Sequence, residues 1–320
     1  MKKLGKDILI TGGAGYVGQN LINYFLQKNY TISVIDNLST SKSVHKSIKK
    51  KINFFKINLI KKKNVEKFFK KRSFDLIIHL AAFSGVKEFD KNLKKSFNNN
   101  VLATKNIVDF GFKNKNTNLI FSSSAAVYGK VSTEKVSEKN TIRPANYYGL
   151  SKVACENIIK KNFKNIKNSY AILRYFNVVG STIDFKLKKK INSLFDIVNK
   201  KIIEKNYKIN INGNKLNTKD GTPERDFIHV NDLSKIHESV YKYLKQNKNI
   251  TLNCGTGTRY SVLEVIKAFE KKIKRKFKIT YKVTNTKETH TICSNTALIK
   301  KVLKTNFEKD TINHLIKEYL

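Results

Sequence analysis

A short apolar run passes directly into a glycine-rich turn in the stretch Asp7-Ile-Leu-Ile-Thr-Gly-Gly-Ala-Gly-Tyr-Val-Gly18. The apolar residues predict a buried strand, and the amphipathic segment over 16–28 predicts a helix. Gly12, Gly15 and Gly18 form a G-x-x-G-x-x-G frame between the two. Glycines in such a frame permit a tight turn and let the backbone approach a pyrophosphate at the positive end of the helix. The stretch therefore predicts a strand–turn–helix unit that binds a dinucleotide.

Asp36 stands where a second predicted strand, over residues 31–35, comes to its end. It lies 18 positions past Gly18, close to the spacing of about 20 residues at which a carboxylate hydrogen-bonds the adenosine ribose. The same carboxylate would repel a 2′-phosphate, so the glycine frame and Asp36 together favour NAD over NADP. The simpler alternative is an aspartate that starts a turn.

Short apolar runs alternate with longer amphipathic segments through the first half of the chain. Further predicted strands cover 52–57, 76–79, 119–121 and 169–174, and further predicted helices cover 97–110 and 148–163. This alternation indicates an α/β fold with a parallel sheet covered on both faces. From about residue 178 the pattern loosens. We therefore expect a domain over 1–177 and a smaller substrate-binding region over 178–320, with segments near 225–260 packing back on the first domain.

The chain is strongly basic, with a formal net charge of +40 over 320 residues. Such a charge suggests binding to nucleic acid or to an anionic membrane. However, lysine is spread over every segment beside abundant Asn, Ile and Phe, as a genome rich in A/T codons would produce. Arginine, which specific nucleic-acid recognition favours, is rare. We therefore expect no specific nucleic-acid partner, and the absence of a long apolar stretch predicts no membrane span.

The three cysteines, Cys155, Cys254 and Cys293, are isolated in the sequence. Their spacing matches neither a metal site nor a disulfide framework. We therefore predict no metal, and a reducing, cytoplasmic location fits this usage.

A tyrosine followed four residues later by a lysine places both side chains on one side of a helix. The ammonium can then favour a tyrosinate, which makes the phenol a usable acid or base. The sequence holds three such pairs: Tyr24/Lys28, Tyr148/Lys152 and Tyr241/Lys245. Only the middle pair follows a serine run, Ser122-Ser-Ser124, at the expected carboxyl end of the fifth strand, where ligands of doubly wound folds bind. The other two pairs are expected on the surface, and the serines could alternatively cap a helix or shape a turn.

The order of these motifs resembles the extended short-chain dehydrogenase/reductase family and, within it, the UDP-glucose 4-epimerase group. The resemblance covers nearly the whole chain. Its markers are Thr11-Gly-Gly-Ala-Gly-Tyr-Val-Gly18, Asp36-Asn-Leu38, His79-Leu-Ala-Ala82, Asn98-Asn-Asn-Val101, Phe121-Ser-Ser-Ser-Ala-Ala-Val-Tyr-Gly129, Tyr148-Gly-Leu-Ser-Lys152, Leu173-Arg-Tyr-Phe-Asn177, Asp220-Gly-Thr222, Arg225-Asp-Phe-Ile-His-Val230 and Asn253-Cys-Gly-Thr-Gly257. It implies a Rossmann-type doubly wound parallel sheet with a smaller α/β C-terminal region that binds a nucleotide sugar.

The resemblance assigns the chemistry to Ser124, Tyr148 and Lys152. Ser124 would hydrogen-bond the reacting sugar oxygen, Tyr148 would shuttle the proton, and Lys152 would hold the nicotinamide ribose. Moving a phenol from its usual pKa of about 10 to about 7 requires roughly 4 kcal/mol of preference for the anion. We expect Lys152 and the nicotinium charge of NAD to supply it.

The resemblance also implies binding residues. The NAD contacts are Gly12, Gly15, Tyr16, Val17, Gly18, Asp36, Asn37, Asn58, Leu59, Ala81, Ala82, Asn100, Ser122, Tyr148, Lys152 and Tyr175. The substrate contacts are Ser124, Tyr148, Asn177, Asn192, Ser193, Arg225, Lys287 and Glu288. A homodimer would form through helices near 92–112 and 148–163.

Arg225 has a physical reason to bind substrate, since a guanidinium can hold a diphosphate in bidentate fashion. Its alternative is an ion pair with Glu224 or Asp226. The chain departs from the family at Ser84, Asn58 and Asn212, which replace a lysine, an aspartate and an aromatic residue, and at a missing second arginine.

Dehydratases of the family carry an Asp-Glu pair after the fifth strand, where this chain has Ala125 and Ala126. The resemblance therefore favours 4-epimerisation of UDP-glucose and UDP-galactose through a 4-keto intermediate. Two alternatives stay open: an epimerase or reductase of another nucleotide sugar, and a non-enzymatic RNA-binding protein of the same fold.

Overall fold

The computed structural model describes residues 6–41, 43–84, 89, 92–112, 116–131, 133–181, 193–246, 248–282, 290–304, 307 and 311–320. Its strands are β1 (Asp7–Thr11), β2 (Thr31–Asp36), β3 (Asn53–Lys56), β4 (Leu76–His79), β5 (Asn118–Ser124), β6 (Tyr170–Tyr175), β7 (Asn177–Val179), β8 (Lys208–Asn212), β9 (Glu224–His229), β10 (Ile250–Cys254), β11 (Arg259–Ser261), β12 (Lys278–Lys282) and β13 (Thr291–Ile292).

Its α-helices are α1 (Tyr16–Gln27), α2 (Lys46–Lys49), α3 (Lys62–Lys70), α4 (Leu93–Gly111), α5 (Tyr147–Asn162), α6 (Leu194–Ile203), α7 (Val230–Leu244), α8 (Val262–Ile273), α9 (Ala297–Leu303) and α10 (Ile312–Ile316). Short 3-10 helices cover Ala125–Val127, Phe163–Asn165 and Lys317–Tyr319. No helix among the described residues has the length and apolar character needed to cross a bilayer.

A seven-stranded parallel sheet in the order β10-β6-β5-β4-β1-β2-β3 forms the centre of the molecule. The chain builds outward from β1 to β3 and then returns to the other side of β1 with β4. The carboxyl ends of β1 and β4 therefore flank the point where the strand order reverses, and open parallel sheets bind ligands in the crevice at such a point. The predicted doubly wound α/β fold is confirmed.

Apolar side chains cover both faces of this sheet. Ile8, Ile10 and Ile78 pack into one buried cluster with α1 and α7, while Leu9 and Ile77 pack into a second cluster with α3, α4 and α5. Neighbouring strand residues point to opposite faces, so a strand buried on both sides is apolar at every position. This explains the continuous apolar runs in the sequence.

The later part of the chain adds smaller sheets. Strand β9 pairs with β7, β11 and β13, and β8 pairs with β12. A separate core lies beneath them, in which Phe195 packs edge-on against Phe227 and Phe269. Two later elements return to the large sheet, since β10 pairs with β6 and α7 packs against α1.

Two predicted boundaries differ from the structure by more than one residue. Strand β5 continues to Ser124 instead of ending at Phe121, because Ser122, Ser123 and Ser124 stay in register with β6. Helix α4 begins at Leu93 rather than at Phe97, and the side chain of Asn92 caps it by accepting a hydrogen bond from the Lys95 amide at 3.2 Å. Polar residues carry no apolar periodicity, so the pattern could not show either extension.

Candidate active site

The glycine frame forms the turn between β1 and α1. Gly12 has φ +70°, and a β-carbon there would lie 2.7 Å from the Ala81 amide nitrogen after β4. A β-carbon on Gly18 would lie 2.5 Å from the Gly12 carbonyl oxygen. Gly15 is the N-cap residue of α1. Because these positions carry no β-carbon, the backbone can pack tightly around the positive end of α1. A pyrophosphate can then approach the backbone closely at this end.

Asp36 lies at the carboxyl end of β2, beside this turn. One carboxylate oxygen accepts a hydrogen bond from the Ala14 amide at 3.0 Å, and the other accepts from the Leu38 amide at 2.8 Å. Because a carboxylate has about four acceptor positions, these bonds orient Asp36 and leave capacity for two ribose hydroxyls.

The predicted cofactor residues Asn37, Asn58, Leu59, Ala81 and Ala82 lie at the carboxyl ends of β2, β3 and β4. The structure therefore brings them to one edge of the sheet. The Asn37 and Asn58 side chains accept hydrogen bonds from amides two residues later, at 3.0 and 3.2 Å. The Leu59 side chain is buried in the core.

Four other predicted cofactor side chains make hydrogen bonds inside the protein. Asn100 is buried, and its amide group bonds the Phe83 backbone at 2.8 and 3.1 Å, which fixes the loop after β4. The others are Tyr16 with the Gly180 carbonyl (2.6 Å), Ser122 with the His79 carbonyl (3.2 Å) and Tyr175 with His237 Nε2 (2.7 Å). Val17, on the first turn of α1, packs at the rim of the core.

Ser124, Tyr148 and Lys152 converge at the carboxyl end of β5. Asn146 starts helix α5 by accepting a hydrogen bond from the Gly149 amide at 2.8 Å. A β-carbon on Gly149 would lie 2.5 Å from the Ala126 carbonyl oxygen, so glycine lets α5 approach the turn that follows Ser124. The Ser124 hydroxyl accepts a hydrogen bond from the Ala126 amide at 3.2 Å and lies near enough to Tyr148 to influence its phenol. The cap interpretation of this serine is therefore confirmed, and its contact with the sugar stays a prediction.

Burial dominates the electrostatics of Tyr148. It raises the pKa of the phenol to about 12, although the hydrogen bond with Ser124 lowers it. Burial also lowers the pKa of Lys152 to about 8, while Cys155 and Glu156 raise it. The Lys152 ammonium donates to the Ser122 carbonyl at 2.7 Å and lies 5.9 Å from the centre of the Tyr148 ring. The expected pKa of about 7 is therefore not reached by the protein alone, because desolvation of the phenol outweighs the effect of Ser124.

Comparison with known proteins identifies the family. The chain matches the NAD dependent epimerase/dehydratase family over residues 8–255. The protein belongs to this family. It is 35% identical over 282 residues to the UDP-glucose 4-epimerase of Dictyostelium discoideum, covering 84% of this chain and 82% of that one. It is 34% identical over 275 residues to that of Bacillus subtilis (strain 168), covering 82% and 81%.

Solved structures agree with this assignment. UDP-glucose 4-epimerase from Brucella ovis, in complex with NAD, has a TM-score of 0.88 at 27% identity and covers 97% of this chain and 96% of that one. The enzyme from Bifidobacterium longum, in complex with NAD+ and UDP, has a TM-score of 0.88 at 28% identity and covers 98% and 96%. The predicted NAD cofactor is confirmed, and the glycine turn with Asp36 fits it.

The structure describes only some of the predicted substrate residues. Ser193 caps α6 in a reciprocal pair with Asp196, and Asn177 is exposed at the start of β7. Asn192, Lys287 and Glu288 lie outside the described residues.

The Arg225 guanidinium donates to the Glu224 and His290 carbonyls at 2.8 and 3.1 Å. The Glu224 carboxylate pairs with Arg259 at 3.1 Å, and that of Asp226 accepts from the Thr256 amide at 2.8 Å. Both acidic neighbours thus have other partners, and the role of Arg225 toward substrate stays a prediction.

One prediction about the tyrosine–lysine pairs is wrong. Tyr24 and Tyr241 are not surface tyrosines, since their rings are 8% and 0% exposed. They lie between α1, α7 and the sheet, in the first buried cluster. Aromatic rings on the inner face of an amphipathic helix contribute to the core even where a lysine follows them.

Sequence reasoning also missed residues that shape the site. Asn146 and Gly149 position the start of α5, and an Asn before a helical run is a signal that could have shown the first. Glu156 and Arg174 form a buried ion pair behind the serines. Nothing in the sequence distinguishes these two charges from the many on the surface.

Proposed function

We propose that the protein catalyses the NAD-dependent 4-epimerisation of a nucleotide sugar, with UDP-glucose and UDP-galactose as the interconverted pair. The observation that carries this proposal is the convergence of Ser124, Tyr148 and Lys152 beside Ala125 and Ala126. The alanines provide no acid for the elimination of water, so oxidation and re-reduction at one carbon is the chemistry that these residues support. The names of the relatives in Dictyostelium and Bacillus support the same substrate.

Each residue has a role in this reaction. Tyr148 takes the proton of the 4-hydroxyl, and Ser124 hydrogen-bonds the same oxygen. NAD, when bound, would supply the acceptor for the hydride of the sugar carbon and the donor that gives it back, and its positive charge would favour the tyrosinate that the protein alone does not favour. Lys152, held by the Ser122 carbonyl, contacts the nicotinamide ribose. Once the 4-keto sugar has turned its other face to the site, Tyr148 returns the proton, so no net oxidation occurs.

The nucleotide end of the substrate is proposed to bind Arg225, Asn177 and Ser193, with Asn192, Lys287 and Glu288 completing the site. Arg225 supports this, because a guanidinium holds a diphosphate in bidentate geometry. We also propose that the substrate region is 178–320 and the NAD domain 1–177.

A homodimer through α4 and α5 is part of the proposal. Leu102 on α4 and Tyr147 and Leu150 on α5 are 43%, 54% and 44% exposed. The two helices pack on each other, and a second copy would bury this apolar surface in a four-helix arrangement. We further propose a cytoplasmic location, which the three free, buried cysteines support.

The test is direct assay. The purified protein is incubated with UDP-, dTDP- and GDP-sugars, and 4-epimers are detected by NMR while absorbance follows NADH. We expect UDP-galactose to form from UDP-glucose without a stoichiometric rise in NADH. Stoichiometric conversion of NAD to NADH, or of NADH to NAD, would contradict the epimerase assignment and indicate a net oxidoreductase instead. Inactivity on every sugar, together with tight RNA binding at physiological salt, would favour the RNA-binding alternative.

A further inference from the structure

A charged pair is buried directly behind the proposed catalytic residues. Glu156 lies on α5 one turn after Lys152 and is 0% exposed, and Arg174 on β6 is 2% exposed. The Arg174 Nε and Nη2 atoms donate to the two Glu156 carboxylate oxygens at 3.0 and 2.8 Å. This is the bidentate geometry that gives an arginine–carboxylate pair its directional specificity.

The pair is tied to the strand that carries Ser124. The hydroxyl of Ser123 donates to the Glu156 Oε1 atom at 2.6 Å. Ser123 is also the register partner of Arg174 on the neighbouring strand. Glu156 on α5 is therefore bonded to both β5 and β6, and its partner on β5 is the residue directly before Ser124. Tyr148, Lys152 and Glu156 follow one another at four-residue spacing, which places them along one side of the helix.

The far side of Arg174 is anchored as well. Its Nη1 atom donates to the Tyr128 hydroxyl at 2.8 Å, and that hydroxyl donates to the Asn253 Oδ1 atom at 2.7 Å. Tyr128 follows the turn of Ala125–Val127 that begins at Ser124, and Asn253 lies on β10. The network thus fixes both ends of the segment on which Ser124 sits.

We propose that Glu156 and Arg174 are positioning residues, which hold Ser124 and the Tyr148/Lys152 side of α5 in one arrangement. This inference rests on the proposed function. A buried ion pair adds little net stability over apolar residues of similar volume. What this pair provides beyond such residues is a fixed geometry between the strands and α5. A displacement of about 1 Å between reacting groups can cost about 10²-fold in rate.

Two matched variants test the proposal. Ser123→Ala removes the link between β5 and Glu156 and leaves the ion pair in place. Thr117→Val is the control: Thr117 precedes the same strand at its other end, is 0% exposed, and its hydroxyl donates to the Phe74 carbonyl at 2.6 Å. Each variant loses one buried hydrogen bond of equal length. The acceptor of Ser123 is charged, so Ser123→Ala should lose more stability than Thr117→Val, and kcat is measured where both variants are fully folded.

We expect Ser123→Ala to lower kcat about tenfold while KM stays within twofold of wild type, and Thr117→Val to keep the wild-type kcat. Ser123 itself is not proposed to contact substrate, so the loss reports the position of Ser124 and α5. An equal fall of kcat in both variants, or none in Ser123→Ala, would overturn the inference alone. A wild type inactive on every nucleotide sugar would overturn the proposed function with it.

Discussion

Helices α5 and α7 carry the same local pattern on opposite faces of the sheet. Each has a tyrosine with a lysine four residues later, and both rings are buried, at 9% for Tyr148 and 0% for Tyr241. The lysine nitrogen lies 5.9 Å from the first ring centre and 5.2 Å from the second. Burial raises the pKa of both phenols. Spacing, burial and cation distance therefore do not distinguish them.

The two tyrosines differ in the edge of the sheet that they face. Tyr148 faces Ser124 at the carboxyl end of β5, where an open parallel sheet binds ligands. Tyr241 faces the other edge. Besides burial, the carboxylates of Asp75 and Asp7 raise the pKa of its phenol, and both lie at the amino ends of β4 and β1. A tyrosine–lysine pair thus acquires a role in chemistry only from the strand end it faces.

The largest expected effect comes from removing the two phenols in turn. Tyr148→Phe should lower kcat about 10³-fold, because a positioned acid or base contributes about 10²- to 10⁴-fold. Tyr241→Phe should keep the wild-type kcat. NMR detection of 4-epimers from UDP-glucose measures both. Undiminished turnover in Tyr148→Phe would remove this residue from the mechanism and end the contrast between the helices.

The two lysines give the next largest difference. Lys152→Met should lower kcat/KM about 10²-fold, since a charge-assisted hydrogen bond contributes about 1.5–3 kcal/mol and this ammonium is proposed to hold the ribose. Lys152→Met should also weaken NAD binding, measured by isothermal titration calorimetry. Lys245→Met is the matched control and should leave both quantities unchanged. Equal effects of the two substitutions would mean that both lysines contribute alike, and that the edge of the sheet does not distinguish the two pairs.

The sequence predicted the NAD end of the molecule better than the rest. The glycine turn and Asp36 are set by backbone geometry over short stretches, so their spacing shows in the sequence. The position of Ser124 at the carboxyl edge follows from the parallel sheet, which the alternation of elements predicts. By contrast, the burial of Tyr241 and the pairing of Glu156 with Arg174 depend on contacts between distant segments. One sequence carries no local sign of such contacts.

The two faces of the sheet also carry one buried histidine each, which extends the comparison to pH. Burial lowers the pKa of His237, on α7, to about 4, and burial with nearby Lys152 lowers that of His79 to about 3. The unfolded chain takes up these protons below a pH of about 6.5, whereas the folded protein does not. Stability should therefore fall as pH drops from about 6.5 toward these folded-state values.

His237→Gln should reduce this acid loss. At a slope of about 1.4 kcal/mol per pH unit for one proton, the difference in unfolding free energy between pH 7 and pH 5 should shrink by about 2 kcal/mol. Urea unfolding at both values measures it. His314→Gln, at an exposed side chain, is the control and should leave the difference as in wild type. If His237→Gln lost as much stability between pH 7 and pH 5 as the wild type, the assignment of proton uptake to His237 would be wrong.

The smallest effect concerns the third tyrosine–lysine pair. The Tyr24 hydroxyl on α1 donates to the Glu238 Oε2 atom on α7 at 2.7 Å, which joins the two helices without contact to the sheet's ligand edge. A partly buried hydrogen bond of this kind contributes about 1 kcal/mol, so Tyr24→Phe should lower the unfolding free energy by that amount and leave kcat unchanged. The same substitution in a Glu238→Ala background should cost less, because this acceptor is already gone. If Tyr24→Phe instead lowered kcat more than twofold, α1 and α7 would influence the reaction from the opposite face, and position at the sheet edge would not suffice to separate the three pairs.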